Sequence, residues 1–193
     1  MQQRMSPINP ELAAAAHRRL AEQGLTVPCI GTARDFAASD AADEIAEAIR
    51  AAGDLLVPYV AVASAQADVD GAIAALTPWV EEAERTGVVL LIKTAGTFAD
   101  TGKLRDVLNH FASDHLAAAW SVFDTWFMAG EAPETTITNL GANVRHVRLT
   151  DGTPTEGSPS FCTNELVGEG KMPMEDMMNA LRSVNYDGYV SCR

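Results

Sequence analysis

The sequence predicts a parallel α/β sheet or barrel, and three observations lead to that class. Segments with helical periodicity alternate with short apolar runs along the chain. Several predicted helices close at a glycine, as at Gly24, Gly53 and Gly87, where a left-handed residue commonly ends a helix. Residues 88–92 are apolar throughout, which is typical of a parallel strand covered on both faces. About six helix–strand units with short connections follow from this pattern.

The individual elements follow from the same signals in chain order. An alanine-rich helix precedes a short buried strand, and an acidic helix precedes the second strand. The second strand contains Pro58, which is unfavourable there because proline has no backbone N–H to donate to a neighbouring strand. Predicted helices cover residues 10–23, 40–52, 68–86, 103–112, 133–141 and 173–183. Predicted strands cover residues 25–30, 55–62, 88–92, 115–123, 143–149 and 186–192.

One long irregular segment is predicted over residues 150–169, which are rich in Gly, Pro, Ser and Thr. A loop of that length in a compact domain is usually functional or mobile. Because it follows a strand whose end carries charge, a lid or substrate-binding loop is favoured. A surface loop without function is the alternative.

Composition narrows the class of protein. A chain of 193 residues suffices for one domain with its own core, and we expect a single domain over residues 1–193. The net charge of −12 argues against nucleic acid as the partner. Cys29, Cys162 and Cys192 lie too far apart for a disulfide framework or a zinc pattern, so we expect a reduced, cytoplasmic protein. The first residues lack the apolar core of a signal peptide, and no apolar run reaches the ~20 residues of a membrane span.

The residues at four predicted strand ends are charged. Lys93, Asp124, Arg148 and Arg193 each follow or end an apolar strand pattern. In parallel α/β barrels, the carboxyl ends of the strands carry the chemistry. Three cations and one carboxylate at such ends favour an anion site over a site for a divalent cation.

Five segments in the later part of the chain have a recognisable order. They are residues 88–100, Asp124 with residues 130–133, residues 145–151, residues 167–173 and residues 186–191. Their order and spacing resemble the xylose isomerase-like TIM barrels, the sugar phosphate isomerases and epimerases that are related to endonuclease IV. The earlier residues resemble this family only in the recurring order of a helix, a glycine and a strand.

The resemblance implies a TIM-barrel-like (β/α) parallel barrel that is incomplete. A full barrel has eight strands in ~250 residues, whereas this chain offers about six recognisable strands. An open barrel leaves edge strands unpaired, which favours pairing with another chain. We therefore expect a homodimer or larger homo-oligomer, or closure of the gap by local rearrangement.

The resemblance also implies a divalent metal such as manganese, magnesium, cobalt or zinc, held by two Glu, one Asp and one His. By position these ligands fall on Lys93, Asp124, Arg148 and Arg193, so Asp124 is the only ligand position retained. Lys and Arg cannot coordinate a hard divalent ion. We therefore expect no metal site and no cofactor, against the expectation for the family.

Each strand-end residue admits two interpretations. Lys93 is a base or Schiff-base nucleophile, or a lysine paired with Asp124 in place of the metal. Asp124 is a general base, or the counter-ion of the nearby cations. Arg148 grips a phosphate or carboxylate, or forms a salt bridge with Asp151 or Glu169.

The remaining candidates are less specific. His146 precedes Arg148 by two residues, so it points to the same side of the strand as a catalyst or as a hydrogen-bonded core residue. Trp126 and Phe127 line a pocket or pack in the core, and Phe127 occupies the position of a substrate-side histidine in the resemblance. Glu169 supports the return of the long loop, and Arg193 is the last residue.

These observations predict a sugar phosphate isomerase/epimerase-like protein that binds or acts on a small polyhydroxylated or anionic carbohydrate or organic acid. Catalysis would be proton transfer next to a carbonyl. The alternative is an inactive ligand-binding or assembly-partner protein that keeps the fold. The predicted catalytic residues are Lys93, Asp124 and His146. The predicted substrate-binding residues are Arg148, Trp126, Phe127, Asp151, Glu169 and Arg193.

Overall fold

The computed structural model describes residues 10–65, 67–155 and 158–192. Its helices are α1 (Pro10–Glu22), α2 (Ala42–Leu55), α3 (Val69–Thr86), α4 (Thr101–Phe111), α5 (Pro133–Leu140) and α6 (Met174–Ser183). Its strands are β1 (Cys29–Asp35), β2 (Tyr59–Ala63), β3 (Val89–Lys93), β4 (Leu116–Ser121), β5 (Val144–Leu149), β6 (Asp151–Thr155), β7 (Ser158–Glu165) and β8 (Tyr189–Cys192).

Six parallel strands form one curled sheet in the order β1-β2-β3-β4-β5-β8. The sheet is a half-barrel, which confirms the predicted incomplete TIM-barrel-like fold. Neighbours in the sheet are also neighbours along the chain, apart from the excursion through β6 and β7, as expected for helix-connected parallel strands. The curl brings the rings of Tyr59 on β2 and Tyr189 on β8 into edge-to-face contact, with centroids 6.3 Å apart.

The two faces of the sheet differ in the size of their side chains. The helix-facing side carries the main core, where Trp120, Leu90 and Ile92 are fully buried. The concave inner side is built largely from small residues, with Ala61 and Ala119 packed around Leu91. Small side chains on the concave face leave space above them, which is where the cavity described below lies.

The predicted glycine stop at the end of α3 is confirmed, and an aspartate caps the start of that helix. Asp68 caps α3 by accepting a hydrogen bond from the Gly71 backbone N–H at 2.8 Å, and Gly87 ends that helix with φ of 73°. The predicted stop at Gly53 is wrong, because α2 continues to Leu55 and Leu56 takes the left-handed conformation with φ of 55°. Apolar packing of the last turn therefore outweighs the helix-breaking tendency of glycine.

Residues 150–169 do not form an irregular loop, so that prediction is wrong. β6 and β7 pair as an antiparallel hairpin, with Asp151 opposite Glu165. The hairpin folds because Asp151 anchors its base, accepting hydrogen bonds from the backbone N–H groups of Gly152, Gly168, Gly170 and Met172. A single buried carboxylate thus replaces the apolar pattern by which strands are usually recognised.

Two strands that line the cavity described below have boundaries that differ from the prediction. β1 begins at Cys29, so its carboxyl end reaches Asp35 rather than residue 30. β4 ends at Ser121, and Asp124 instead begins a short π-helical turn, Asp124–Met128. The turn is stabilised because Thr125 Oγ1 accepts a hydrogen bond from Trp120 Nε1 at 3.0 Å. Within the described ranges, no helix is both long and apolar enough to cross a bilayer.

The turn after β3 depends on a glycine. Gly96 has φ of +58°, and a Cβ added there would lie 2.7 Å from Ser64 O and from Ala65 Cα. Both contacts are with backbone, so neither can move away cheaply. The Gly96–Ala99 turn thereby holds the end of β3, and with it Lys93, against the β2 loop.

Gly96→Ala and Gly53→Ala are expected to change stability in opposite directions. Gly96→Ala should destabilise the protein by more than about 2 kcal/mol, through left-handed strain plus the backbone clash. Gly53 lies inside α2 with open space around its Cβ position, so Gly53→Ala should stabilise by about 0.5–1 kcal/mol. Urea unfolding followed by circular dichroism measures both. A destabilising Gly53→Ala would contradict the observed end of α2.

Candidate functional site

A cavity of about 200 Å³ opens at the carboxyl ends of the strands on the concave face. Its polar lining residues are Lys93, Ser121, Asp124, His146, Arg148 and Ser191. Its small or apolar lining residues are Cys29, Gly31, Ala61, Ala95 and Ala119. Four residues selected from the sequence, Lys93, Asp124, His146 and Arg148, are therefore brought together by the fold.

Strand alternation explains why Lys93 points into this cavity. Val89 and Leu91 face the concave side, so Lys93, two residues further along β3, faces it as well. Lys93 pairs in register with Ala119, whose small side chain leaves the space that the lysine occupies. A Cβ added to Gly31 would lie 4.0 Å from Lys93 Nζ, so the ammonium reaches across the concave face toward β1.

The ammonium of Lys93 is partly buried, and its surroundings weaken its hold on the proton. Burial, and secondarily the positive charge of Arg148, lower the pKa of Lys93. Among the described residues, Lys93 forms no ion pair with a carboxylate. The predicted alternative of a Lys93–Asp124 ion pair is therefore not formed in this part of the chain.

Arg148 is the middle residue of a short polar row across three strands. In register, Arg148 on β5 lies opposite Ser121 on β4 and Ser191 on β8. Its guanidinium is partly buried and, within the described ranges, forms no ion pair. The alternative salt bridge to Asp151 or Glu169 is not formed, since Asp151 is occupied by backbone N–H groups and Glu169 is exposed.

His146 lies one layer deeper than Arg148, as the strand period requires. Its Nε2 lies 3.0 Å from Ser191 Oγ, and its ring lies 6.4 Å from that of Tyr189. Burial lowers the pKa of His146, so the imidazole is neutral at pH 7. The residue both lines the cavity and lies within hydrogen-bonding distance of a neighbouring strand.

The end of β4 is held rigidly beside Lys93. Thr94 is fully buried, and its Oγ1 accepts a hydrogen bond from the Ser121 backbone N–H at 2.8 Å. The Thr94 backbone N–H donates to Ala119 O at 3.0 Å. Asp124 follows three residues after Ser121 and is partly buried at the cavity rim.

Several residues predicted to bind substrate lie elsewhere. Trp126 packs against the helix-facing core, and Phe127 stacks on Phe123 with ring centroids 5.0 Å apart. Asp151 is 1% exposed at the base of the hairpin, and Glu169 is exposed in the following turn. Arg193 lies outside the described residues.

The sequence interpretation missed three groups of this cavity. Ser121 and Ser191 line it because they flank Arg148 in register, and inward alternation along β4 and β8 is the signal that identifies them. Cys29 lines it from the start of β1, which the sequence pattern placed too early. Burial raises the pKa of the Cys29 thiol to about 11 despite the nearby Lys93, so the group stays a neutral thiol.

A comparison with models of known protein families shows which family the chain belongs to. A family model for the xylose isomerase-like TIM barrel matches residues 1–193. The chain belongs to the xylose isomerase-like TIM barrel family. This is the family that the sequence resemblance predicted. Among curated proteins, none matches the chain.

Solved structures share the fold of this family member at low identity. A xylose isomerase domain protein from Planctomyces limnophilus superposes with a TM-score of 0.82 at 15% identity, over 97% of this chain and 77% of that chain. The 3-keto-D-glucoside 4-epimerase from E. coli, in its apo form, gives 0.73 at 15%, over 95% and 77%. A D-allulose 3-epimerase from Methylomonas sp. in complex with D-allulose gives 0.73 at 14%, over 95% and 69%.

The side chains at the strand ends do not fit the divalent metal expected from the resemblance. In the described part of the chain, no group of three or more His, Cys, Asp or Glu side chains is placed to hold a metal ion. Lys93 and Arg148 line the cavity instead, and neither is one of the oxygen or imidazole ligands by which a divalent ion is held. We therefore derive no chemistry through a metal at this site.

Asp151→Asn is expected to destabilise the hairpin by about 1–3 kcal/mol at pH 7, because the amide presents donors to backbone N–H groups. Burial raises the pKa of Asp151, but its four backbone hydrogen bonds dominate and lower it. A lowered folded-state pKa means that the stabilisation is present above the unfolded pKa of about 3.9 and is lost as pH falls through the folded pKa.

Urea unfolding at pH 7 and at pH 3 measures this effect. The difference between the wild type and Asp151→Asn should shrink at the lower pH. The exposed Asp187→Asn is the control and should stay within about 0.5 kcal/mol of the wild type. An Asp151→Asn variant as stable as the wild type at pH 7 would overturn the anchoring role.

Proposed function

We propose that the cavity binds a small polyhydroxylated carbohydrate bearing a phosphate or carboxylate, without the help of a divalent metal. One observation carries the proposal: Lys93 and Arg148 share the cavity and form no ion pair with any described carboxylate. Partly buried cations are costly without a counter-charge. An anionic ligand supplies that charge.

The lining suits such a ligand in size and in hydrogen-bonding groups. A volume of about 200 Å³ lies below the roughly 300–1,000 Å³ of sites for drug-sized ligands. Arg148 offers the planar fork that binds phosphate or carboxylate oxygens in pairs. Ser121 and Ser191, on either side of Arg148, offer hydroxyl groups to the hydroxyls of a sugar.

The reaction proposed for this site is proton transfer at the carbon next to a carbonyl. Asp124 at the cavity rim is the base that removes the proton. Lys93 and Arg148 stabilise the negative charge that develops on the carbonyl oxygen, as preorganised cations do in other enolising sites. Returning the proton to the other face gives an epimer, and returning it to the neighbouring carbon gives an isomer.

A second candidate is a binding protein without catalysis. Asp124 is the single carboxylate among the cavity-lining residues of the described chain, so a two-carboxylate acid–base exchange has no second member there. Binding requires only Lys93, Arg148 and the serine hydroxyls. The two candidates differ in whether the α-proton of a bound sugar exchanges with solvent.

We also propose that residues 1–193 act as one domain in the cytoplasm and assemble as a homo-oligomer. β1 and β8 are the two edges of the half-barrel. On β8, Tyr189 is 43% exposed and Val190 is 51% exposed, which is unusual for strand residues of this type. Pairing with a second copy would cover this edge.

Arg148→Met is expected to weaken binding of D-ribulose 5-phosphate by about ten- to a hundredfold, the value of charge-assisted hydrogen bonds to one phosphate. Binding of uncharged D-ribulose should change far less. Isothermal titration calorimetry in the presence of EDTA measures both. Arg145→Met is the control, because Arg145 lies exposed on the same strand. Sugar phosphate binding that disappears with EDTA would contradict a metal-independent site.

Asp124→Asn is expected to slow α-proton exchange by about a hundredfold or more, because the amide cannot accept the proton. Proton NMR of D-ribulose 5-phosphate with the protein in deuterium oxide measures the exchange rate. Asp114→Asn is the control, since Asp114 is exposed just before the opposite end of β4. Ligand binding with no exchange in the wild type would select the second candidate, a binding protein.

A further inference from the structure

We propose that Lys93 is a covalent nucleophile that forms a protonated Schiff base with the carbonyl carbon of an anionic ketose or aldose in this cavity. The inference deepens the proposed function and rests on it, since the same cavity must first bind the sugar. It adds a covalent step that the metal-dependent chemistry implied by the resemblance does not contain.

The position of the amine supports this role. Lys93 ends β3 and stands above the concave layer formed by Leu91, Ala61 and Ala119. Its Nζ crosses the cavity toward Gly31, where the absence of a side chain leaves room beside the amine. A carbonyl carbon that enters the cavity therefore has access to the amine on the side of Gly31.

Lys93 Nζ also has no carboxylate partner among the described residues. In the described part of the chain, Lys93 Nζ forms neither an ion pair nor a hydrogen bond with a carboxylate, the arrangement that normally keeps a buried lysine protonated and inert. The neighbouring thiol of Cys29 is neutral and supplies no counter-charge. Arg148, a permanent cation, shares the cavity and favours the uncharged amine.

Charged groups on the other elements around the cavity do not reverse the lowering of the Lys93 pKa. Glu44 of α2 acts on Lys93 only from a distance, and its two carboxylate oxygens accept hydrogen bonds from the backbone N–H groups of Ala33 and Arg34. Asp124 lies at the rim, and His146 is neutral. Desolvation and the like charge of Arg148 therefore outweigh the attraction of Glu44, in the pattern of nucleophilic lysines.

The covalent step balances without any further reagent. The ammonium of Lys93 first releases one proton to solvent. The neutral amine adds to the carbonyl carbon, and a proton passes from its nitrogen to the carbonyl oxygen to give a neutral carbinolamine. The carbinolamine hydroxyl takes up the proton that was released and leaves as water, so that one ammonium and one carbonyl become one iminium and one water molecule with the charge of +1 conserved. The iminium withdraws electrons from the adjacent C–H bond, and Asp124 takes that proton to leave an enamine.

This step supplies the electron sink that the strand ends lack. A cationic iminium next to the reacting carbon does what a metal-bound carbonyl does in other sugar isomerases, namely stabilise the carbanion. Arg148 remains available for the anionic group of the sugar, and Ser121 and Ser191 remain available for its hydroxyls.

The chain offers a clear internal comparison. It contains three lysines, Lys93, Lys103 and Lys171. Lys103 lies on the surface of α4 and pairs with Asp100 at 3.5 Å, and Lys171 is exposed. Reductive trapping followed by peptide mapping therefore reports directly whether one lysine differs from the other two.

The test uses the full chain with dihydroxyacetone phosphate as the carbonyl probe and sodium cyanoborohydride as the reductant. Hydride reduces the iminium to a stable secondary amine, which adds one three-carbon phosphate group per chain in the intact mass. We expect labelling at Lys93 to exceed that at Lys103 and Lys171 by at least about tenfold. Uncharged dihydroxyacetone should label Lys93 about tenfold less, and Arg148→Met should remove that difference.

Two variants complete the experiment. Lys93→Arg keeps the positive charge and should abolish the adduct, with folding checked by its thermal unfolding midpoint. Lys103→Arg should leave labelling of Lys93 unchanged. The mapping of the wild-type chain stays decisive even if Lys93→Arg fails to fold.

Calorimetry with dihydroxyacetone phosphate, without reductant, separates the two levels of the proposal. Binding without a preferential adduct at Lys93, or labelling spread evenly over the three lysines, would overturn the Schiff-base inference and leave the anion site intact. If the protein neither binds the probe nor is labelled by it, the inference and the proposed function are overturned together. Binding with selective labelling supports both.

Discussion

The site depends on two partly buried cations held at one end of a curled parallel sheet. Lys93 and Arg148 project from β3 and β5 into the same small cavity, and the described chain supplies no ion pair to either. Charges in such a position oppose folding unless something compensates them. The chemistry proposed for this protein is a consequence of that uncompensated charge, which an anionic ligand or a neutral amine relieves.

The scaffold is built to keep these two cations in place. Thr94 ties the residue after Lys93 to the end of β4, and Gly96 fits the next turn against the backbone of residues 64 and 65. The register that sets Arg148 between Ser121 and Ser191 gives the second cation hydroxyl neighbours on both sides. Small concave residues such as Ala61 and Ala119 leave the volume in which the lysine and a ligand lie.

Membership of the xylose isomerase-like TIM barrel family makes the charge reversal informative. Lys93 and Arg148 stand at positions where the resemblance places metal ligands, so positive charge at these strand ends comes from the side chains themselves. Such side chains can stabilise an anion without a metal. The proposed iminium at Lys93 would add a covalently fixed positive charge next to the reacting carbon.

Much of the architecture and part of the site followed from the sequence. The succession of helices and strands predicted the parallel sheet, because apolar runs between amphipathic helices have few other arrangements. Strand alternation predicted that His146 and Arg148 face one side, and the charged end of an apolar strand identified Lys93. These are local properties with a fixed period, so they can be read without coordinates.

The tertiary structure decided what local patterns cannot determine. The hairpin of β6 and β7 has no apolar alternation, since its base is held by the long-range backbone contacts of Asp151. Ser121 and Ser191 became neighbours of Arg148 through the register between strands, and Cys29 became a site residue through the observed start of β1. Whether Lys93 pairs with Asp124 was equally open in the sequence. That choice depends on the three-dimensional path of the turn after β4, where Asp124 begins a π-helical turn instead of ending the strand.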